Sequence, residues 1–399
     1  MSTTRFAAAC AEDEVLAAAV ERCCRRLCEQ GLDQPDVVFA FASTGYGDDL
    51  DRLPGRICEH LAARHLVGCS AEMLIGGSCE YEGRPVVSML GACLPTARLR
   101  PFRLEFSQTA DGIMVSGLPE PEFPAEADAN VTAFVFGDPF STVPGSLIER
   151  LAVEWPGVPL LGGMASGAVM PGDHRLFSNE EAYRGGAVGL LVEGGPIVRT
   201  VVSQGCRPVG PHFVVTAAEN NVIFELGGKP ALQQCQAVFE TLSPADRMIA
   251  RQGFHLGIAM SEYRDRFERG DFLIANVLGA DRRNQAIAIG STVRVGQTVR
   301  FHVRDAETAD EDLRSLLQRH RQESGRPEAA LIVSCNGRGT RMFPQPHHDV
   351  QTLLDVHPEI PVAGLFAQGE FGPVGERNYI HGFTAVIALF HDQERSSGE

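Results

Sequence analysis

Three stretches of the chain repeat one order of hydrophobic and polar positions. Each stretch opens with an apolar run, at residues 37–43, 132–138 and 330–336. A segment with helical spacing follows, and then a second apolar run that begins at Leu66, Leu160 or Val362 and passes into glycine-rich sequence. The starts of the two runs lie 29, 28 and 32 residues apart. Three occurrences of one pattern at matched spacing indicate repeated structural units.

The periodicity predicts the structure of each repeat. Continuous apolar runs such as Val37–Ser43 are typical of strands buried on both faces. A connection that contains a helix is long enough for a crossover, so the first and second strands are predicted to be parallel. A third apolar run, at 85–92, 186–192 and 382–390, is predicted to return antiparallel. The predicted fold class is therefore α/β, with two domains built from repeated β-α-β-β units, as mixed sheets with helices packed on them.

The pattern of hydrophobic and polar positions also predicts how the chain is divided into domains. The predicted parts are an N-terminal helical segment at 1–34, one domain at 35–212, a second domain at 213–392 and a disordered tail at 393–399. Within the first part a helix is predicted over 12–30. The polar, proline-containing stretch 109–130 is predicted to be a loop. A partial fourth copy of the repeat is predicted over 255–278.

Composition narrows the possible functions. The 399 residues suit two hydrophobic cores, and the apolar fraction of 44% is enough to fill them. A net charge of −16 argues against nucleic acid as a partner, because phosphate contacts need Lys and Arg. With no basic run, an anionic membrane surface is not expected as a partner either. Lys229 is the only lysine and Pro230 follows it, which excludes a Walker-type phosphate loop.

Cysteine and histidine usage predicts a cytoplasmic protein without a metal or cofactor. Eleven cysteines are scattered without a CxxC pair, which favours free thiols over a structural zinc site. The N-terminus has no basic start followed by an apolar run, and no apolar stretch reaches 18 residues, so neither a secretion signal nor a membrane span is predicted. His347, His348 and Asp349 with His357 are the best metal candidates. Adjacent histidines point in different directions, so residues at a helix start are the favoured interpretation.

Three groups of residues resemble the motifs of the FIST family. They are His65–Glu72 with Gly76-Gly77, Ser334–Gly339, and Pro361–Glu370 with Gly372-Pro373 and His381–Thr384. The resemblance covers about 35–390 and implies an N-terminal and a C-terminal FIST domain. It implies a sensory protein of intracellular signalling that binds a small ligand such as an amino acid. Since the chain has no room for an output module, the resemblance also implies a signalling partner protein or self-association.

The strand ends supply candidate ligand-binding residues. Asn336, Gly337, Arg338 and Gly339 follow a buried strand directly, and ligands of open α/β sheets lie beyond such ends. Arg338 could pair with a ligand carboxylate in a two-pronged fashion. The alternative is an exposed turn with a solvated arginine.

Acidic and amide residues occupy the matching place after the second strands. They are Glu72 in the first repeat and Gln368 with Glu370 in the last. A carboxylate there could hold a ligand ammonium, and together with Arg338 it would suit a free amino acid. The alternative for Glu370 is a cap on a turn or a helix N-terminus.

Further candidates are less specific. Cys69 and Ser70 lie in the glycine-rich end of the first repeat's second strand, and His381 ends a loop where it either lines the pocket or packs. Cys69 has only His65 near it in sequence, and a thiol nucleophile needs a positioned base, so catalysis is not the favoured function. The alternatives are a cysteine- or metal-dependent hydrolase that uses Cys69 or Cys335, and an adaptor that binds only protein.

Overall fold

A computed structural model describes residues 4–110, 112–120, 130–251, 253–262, 267 and 270–392. Contacts group the chain into two compact units. The first consists of Met1–Val202, Leu313–Ile380 and Thr384–Glu399, and the second of Ser203–Asp312 with His381–Phe383. In sequence, most of the second unit is therefore an insertion into the first. These units are defined by contacts, so the predicted sequence limits at 34, 212 and 392 stay predictions.

The helices and strands follow in chain order. The α-helices are α1 (Leu16–Glu29), α2 (Leu53–His60), α3 (Pro144–Glu154), α4 (Ala231–Thr241), α5 (Pro244–Ala250), α6 (Ala306–Ser324) and α7 (His348–Val356). The strands up to the insertion are β1 (Arg5–Glu12), β2 (Val37–Ser43), β3 (His65–Ala71), β4 (Met73–Gly76), β5 (Cys79–Glu82), β6 (Val86–Cys93), β7 (Ala97–Thr109), β8 (Gly112–Ser116), β9 (Val131–Gly137), β10 (Leu160–Met164), β11 (Leu176–Ser178), β12 (Glu181–Tyr183), β13 (Ala187–Gly194) and β14 (Ile197–Gln204).

The remaining strands belong to the inserted unit and to the last repeat. Those of the inserted unit are β15 (Cys206–Glu219), β16 (Val222–Leu226), β17 (Lys229–Pro230), β18 (His255–Ala259), β19 (Phe272–Asp281), β20 (Ala286–Ile289) and β21 (Thr298–Arg304). Those of the last repeat are β22 (Ala329–Cys335), β23 (Val362–Ala367), β24 (Glu370–Val374), β25 (Arg377–His381) and β26 (Thr384–His391). A 3-10 helix of nine residues, kinked at Gly47, occurs at Thr44–Arg52, and a single 3-10 turn occurs at Gly339–Arg341.

The first unit contains the three predicted repeats. First and second strands are parallel in each, as β2 with β3, β9 with β10 and β22 with β23, which confirms the prediction. The third strands, β6, β13 and β26, are antiparallel, and each lies beside the first strand of its repeat. An outer strand completes each sheet, namely β1, β7 or β14. The first and second strands of every repeat are therefore central, as their apolar character requires.

The hairpins that follow the second strands exchange between repeats in a cycle. The β4–β5 hairpin of the first repeat joins the sheet of the third repeat through β23. The β24 strand of the third repeat joins the second through β10, and the β11 strand of the second joins the first through β3. No repeat completes its own sheet, so the three fold as one unit.

Each sheet of the first unit is covered on both faces. One face of every sheet contributes to a shared core in which Phe39, Phe134 and Phe390 contact one another, with ring centroids 5.0, 5.9 and 6.4 Å apart. Helices cover the opposite faces, with α1 and α2 on the first sheet, α3 on the second and α6 with α7 on the third. The strands are apolar throughout because neither face meets water.

One glycine in each second strand confirms that the repeats correspond position by position. A Cβ atom at Gly68, Gly162 or Gly364 would lie 1.8–2.0 Å from a carbonyl oxygen of the neighbouring first strand. The neighbours are Ala40, Val135 and Ile332, which are also the residues paired with these glycines in the sheet register. Glycine is required there because the backbones approach too closely for any side chain.

The second unit is an antiparallel barrel. Its strands follow the order β15-β21-β18-β19-β20-β16, and β16 pairs again with β15 and closes the sheet. Val209, Leu256, Ile287 and Phe301 contribute to its core, against which α4 packs with Val238. β18 and β19 are antiparallel neighbours, so the predicted fourth copy over 255–278 is wrong. The prediction of repeated β-α-β-β units therefore holds for the first unit and fails for the second.

Smaller differences have local causes. The predicted helix over 12–30 is present as α1, but the sequence before it forms β1, whose alternating Ala7, Ala9 and Ala11 are buried. Alanine is a weak strand former, so this strand gave no signal. The predicted loop 109–130 contains β8, and its residues 121–129, like the predicted tail, lie outside the described residues. Among the described helices, none is both long and apolar enough to cross a membrane.

Candidate functional site

Polar side chains from all three repeats meet beyond the ends of the central strands. Four residues after each of the three close-approach glycines, the chain reaches Glu72, Ser166 and Gln368. Thr44 and Asn336 come directly after the first strands β2 and β22. Carboxyl ends of parallel strands are where α/β sheets bind ligands. We call this region the polar junction, and its members are Thr44, Glu72, Ser166, Asn336, Arg341 and Gln368.

Ser166 connects the three repeats. Its hydroxyl accepts a hydrogen bond from the N–H of Glu72 at 3.0 Å and donates to the carbonyl of Phe366 at 2.5 Å. Its carbonyl oxygen accepts from the hydroxyl of Thr44 at 2.7 Å. Ser166 itself is fully buried. A small side chain that both donates and accepts therefore fixes the first and third repeats against the second.

Backbone bonds hold the two amide residues of the junction. The N–H of Asn336 donates to the carbonyl of Ala367 at 2.8 Å, and the N–H of Gln368 donates to that of Met164 at 3.1 Å. Asn336 is half-buried and Gln368 is exposed. These two of the predicted ligand-site residues are therefore held by backbone hydrogen bonds to second strands, at the surface of the junction.

Arg341 and Glu72 form the charged part of the junction. The guanidinium donates to both carboxylate oxygens of Glu72, once at 3.1 Å, and to the carbonyl of Asn336 at 2.9 Å. The side chains are 47% and 35% exposed, so solvent reaches both charges. The hydrogen bond from Arg341 to Glu72 raises the pKa of the guanidinium further. The pair is a matched cation and anion at the edge where the repeats meet.

Arg338, the predicted ligand arginine, is buried and bound within the chain. Its Nε and Nη2 donate to the two oxygens of Asp349 at 2.8 and 2.7 Å, and both side chains are essentially unexposed. Ser334 donates to the same carboxylate at 2.6 Å. Burial opposes ionisation, but Arg338 holds the pKa of Asp349 well below its usual range. The two-pronged carboxylate contact predicted for Arg338 is thus made to an internal aspartate.

Glu80 adds a second buried carboxyl beside this pair. Its Oε1 accepts from the N–H groups of Asp349 and Val350 at 2.8 and 3.2 Å, which caps the start of α7. Burial and the neighbouring Asp349 raise the pKa of Glu80 to about 8. Among the described residues its Oε2 has no hydrogen-bond partner. Glu80 is therefore held as the neutral acid near neutral pH.

Glu370 lies beneath the junction and not on its surface. Its carboxyl accepts from the N–H of Gly369 at 3.2 Å and of Thr384 at 3.4 Å, and Cys335 hydrogen-bonds to it as well. Burial raises the pKa of Glu370 well above its usual range, so a neutral carboxyl is expected. A neutral acid is poorly suited to hold a ligand ammonium. Glu72, which is half-exposed and paired, is the better anion.

Cys69 and Ser70 are internal. Cys69 is fully buried in the shared core, and burial raises the pKa of its thiol, so a thiolate nucleophile is disfavoured there. The hydroxyl of Ser70 accepts from the N–H of Arg175 at 2.9 Å, where β3 meets the exchanged hairpin. Neither side chain is part of the polar junction.

The two predicted turn glycines have structural neighbours. The N–H of Gly337 lies 3.4 Å from the sulfur of Cys335. Gly339 has a φ of +60°, and a Cβ atom there would come within 2.6 Å of a Glu82 carboxylate oxygen. Glycine at 339 is therefore needed for the 3-10 turn that brings Arg341 to Glu72.

Two of the predicted histidines contact the buried residues Glu80 and Asp349. His381 is buried and is grouped by its contacts with the second unit. His347 accepts from the N–H of Glu80 at 2.9 Å, and His348 bonds to Asp349 and stacks on Phe343 at a centroid distance of 3.4 Å. Among the described residues no group of three His, Cys, Asp or Glu is placed to hold a metal ion.

Sequence reasoning missed three members of the junction, Thr44, Ser166 and Arg341. Ser166 had a usable signal, since it stands at the same distance from Gly162 as Glu72 does from Gly68. Arg341 had none, because Arg338 lies three residues earlier in the same polar turn and only the tertiary packing of Asp349 separates the two.

Protein-family models and known proteins match most of the chain. The FIST N domain matches residues 36–229, and the FIST C domain matches residues 231–373. An uncharacterized protein of Mycobacterium tuberculosis is 38% identical over 359 residues, which cover 90% of this chain and 92% of that protein. An uncharacterized protein of Mycobacterium bovis is 36% identical over 384 residues, with coverage of 96% and 97%.

Proposed function

Because this chain belongs to the FIST family, we propose that it is a cytoplasmic sensory protein that binds an amino acid at the polar junction. FIST domains are proposed sensory and signalling domains, and the similar mycobacterial proteins are uncharacterized. The family supports the sensory role, and the polar junction supports the position of the ligand. The ligand is a small zwitterion, and its effect is passed to a signalling partner protein.

The observation that carries the proposal is the half-exposed pair of Arg341 and Glu72. A zwitterionic ligand can open this pair without leaving either charge unmatched. Its carboxylate replaces Glu72 on the guanidinium fork, and its ammonium replaces Arg341 on the carboxylate. Ligands with a single charge would leave one partner without a counter-charge, so the pair selects for both charges together.

The surroundings of the pair fit this role. The carbonyl of Asn336 already accepts from Arg341 and keeps the guanidinium in place when Glu72 is released. Gln368 is exposed beside it and can donate to a ligand carboxylate or accept from its ammonium. The role that sequence analysis gave to Arg338 and Glu370 thus moves to Arg341 and Glu72, while Asn336 and Gln368 keep theirs.

Two surface clefts offer alternative positions for a ligand. One of about 750 Å³ is lined by residues 112–118 with Ser146, Glu149 and Arg150, and one of about 420 Å³ lies near His391. Neither is lined by members of the junction. At the junction, we propose that the ligand opens the Arg341–Glu72 pair and is selected by its two charges.

The proposal is tested by a thermal-shift screen of the common amino acids. At least one is expected to stabilise the first unit, and its N-acetyl and amide derivatives, which each lack one charge, are expected to have no effect. Arg341→Gln and Glu72→Gln should both abolish the shift. Arg314→Gln is the matched control, since Arg314 on α6 forms an exposed pair with Asp355 on α7 at 3.2 Å.

The same screen can reject the proposal. If no amino acid shifts the melting temperature, or if the singly charged derivatives act as well as the parent compound, the two-charge recognition is wrong. Mass spectrometry of compounds that co-purify with the native protein would then name the ligand class. Retention of a signalling protein without any small molecule would favour the adaptor role instead.

A further inference from the structure

Three buried histidines form a hydrogen-bonded chain in the third repeat of the first unit. His320 comes from α6, His357 follows α7 and His391 ends β26. Nδ1 of His320 lies 3.3 Å from Nε2 of His357, and Nε2 of His320 lies 3.0 Å from Nε2 of His391. Because His320 uses a different nitrogen for each neighbour, the three rings do not converge on one point. They form a line and not a metal cage.

The histidine chain, that is His357, His320 and His391, is neutral in the free protein. Burial is the main cause, and it lowers the pKa of His320 to about 3 and of His357 and His391 to about 4. Positive neighbours act in the same direction, with Arg199 near His320 and His391, and Arg321 with Arg326 near His357. The surroundings of the three histidines are therefore electropositive.

His391, at one end of the histidine chain, lies at a surface cleft. His391 lines a cleft of about 420 Å³ together with Arg199, Arg321 and Arg326. Two of these guanidiniums are oriented by backbone carbonyls, since Arg321 donates to Val356 and Arg326 donates to Glu359, the latter at 3.1 Å. An arginine has five N–H donors, so each keeps donors for a bound anion.

Acidic groups limit what the cleft can hold. The charged groups around the chain are Arg199 on β14, Arg321 and Glu323 on α6, Arg326 and Glu328 after α6, and Asp392 after β26. The carboxylates line the same cleft as the arginines, so a long polyanion would be repelled. A compact anion at the histidine end would contact the guanidiniums.

We propose that this cleft binds a small oxyanion of the phosphate type, and that binding draws one proton onto the histidine chain. A doubly charged anion offsets the arginine field that keeps the imidazoles neutral. Protonated His320 can donate to both neighbours, so one added proton preserves both N···N hydrogen bonds. A second proton would place two N–H groups opposite each other in one of these N···N contacts. The histidine chain therefore takes up only one proton.

The test is isothermal titration of the whole protein with inorganic sulfate and inorganic phosphate, each in two buffers of different ionisation enthalpy. Sulfate has no proton to exchange near neutral pH, so a buffer-dependent heat reports proton uptake by the protein. Saturable binding is expected for both ions, with uptake of up to one proton in the sulfate titration, since phosphate exchanges protons of its own near neutral pH. A phosphate monoester is the third probe. It distinguishes a site for the free inorganic anion from a site that recognises an organic phosphate.

Single-residue variants distinguish anion binding in the cleft from a general effect of the protein's charge on the anion. Arg199→Gln and Arg321→Gln are each expected to weaken binding about tenfold, the effect of one charge-assisted hydrogen bond. Arg319→Gln removes the same charge from an exposed position of α6 outside the cleft and should have little effect. His320→Gln removes the central imidazole, which is not part of the lining of the cleft, and should keep saturable binding but remove the proton uptake. Absent binding, equal weakening in Arg319→Gln, or binding without proton uptake would each overturn the proposal.

Discussion

Arg338 and Arg341 are three residues apart and make the same kind of contact in opposite environments. Each places two donors on a carboxylate, Arg338 on Asp349 and Arg341 on Glu72. The first pair is essentially unexposed, whereas the second is about half-exposed. Glu80 lies beside the first pair and Asn336 beside the second.

The difference shows that burial, and not the hydrogen-bond pattern, decides what an ion pair does. Breaking a buried pair strands a charge in a medium that cannot solvate it, so such a pair cannot exchange its partner. An exposed pair contributes little to stability because water replaces either partner. The buried network around Arg338 therefore belongs to the fold, and of these two pairs we propose the one at Arg341 for ligand exchange.

The largest expected effect is on the buried pair. Asp349→Asn keeps the shape of the side chain but removes the charge to which two donors of Arg338 are bound, so the free energy of unfolding should fall by about 3–5 kcal/mol. Urea unfolding followed by fluorescence measures it, because Trp155 is the only tryptophan and is buried in the first unit. Asp355→Asn is the control on the same helix, where an exposed pair with Arg314 predicts a loss below about 1 kcal/mol. Equal losses in the two variants would contradict the comparison.

An intermediate effect is expected from pH. The pKa of Glu80 is about 8 in the fold and near 4.5 otherwise, so its contribution to stability is full below pH 4.5 and is lost as the pH rises through 8. Glu80→Gln keeps the acceptor for α7 and cannot ionise. Between pH 5 and pH 9 the variant should gain up to about 4 kcal/mol on the wild type, since about three pKa units lie between pH 5 and the pKa of Glu80 and each corresponds to about 1.4 kcal/mol. A difference that stays constant over this range would show that Glu80 is ionised throughout.

The smallest effect on stability is expected at the junction. Arg341→Gln should change the free energy of unfolding by less than about 1 kcal/mol, because both partners of its pair are reached by solvent. The same urea titration measures this change. A loss as large as that of Asp349→Asn would place Arg341 with the fold and remove the basis for ligand exchange.

Much of the first unit was predictable from sequence because its central strands are apolar on both faces. The parallel pairs, the helices between them and the positions of Glu72, Asn336 and Gln368 follow from that pattern. The cyclic exchange of hairpins was not predictable, since strands such as β4 and β24 take partners from another repeat. The barrel was not predicted, because its strands pair only antiparallel and the pattern over 255–278 was interpreted as a further β-α-β-β repeat.

The burial of Arg338 was unpredictable for a similar reason. Arg338 and Arg341 stand in one polar turn, and nothing local distinguishes them. The distinction comes from Asp349 and Glu80, which other parts of the chain bring to Arg338. The sequence therefore predicted that Glu72, Asn336 and Gln368 follow central strands, whereas the different burial of Arg338 and Arg341 required the packing.

The most direct test of the account is titration calorimetry of the stabilising amino acid into the wild type, Arg341→Gln and Arg338→Lys. The account predicts saturable binding to the wild type and no measurable binding to Arg341→Gln. Arg338→Lys, if folded, should bind as the wild type does, because residue 338 does not meet the ligand. Unchanged binding to Arg341→Gln, together with loss in a folded Arg338→Lys, would contradict the assignment and return the ligand to Arg338.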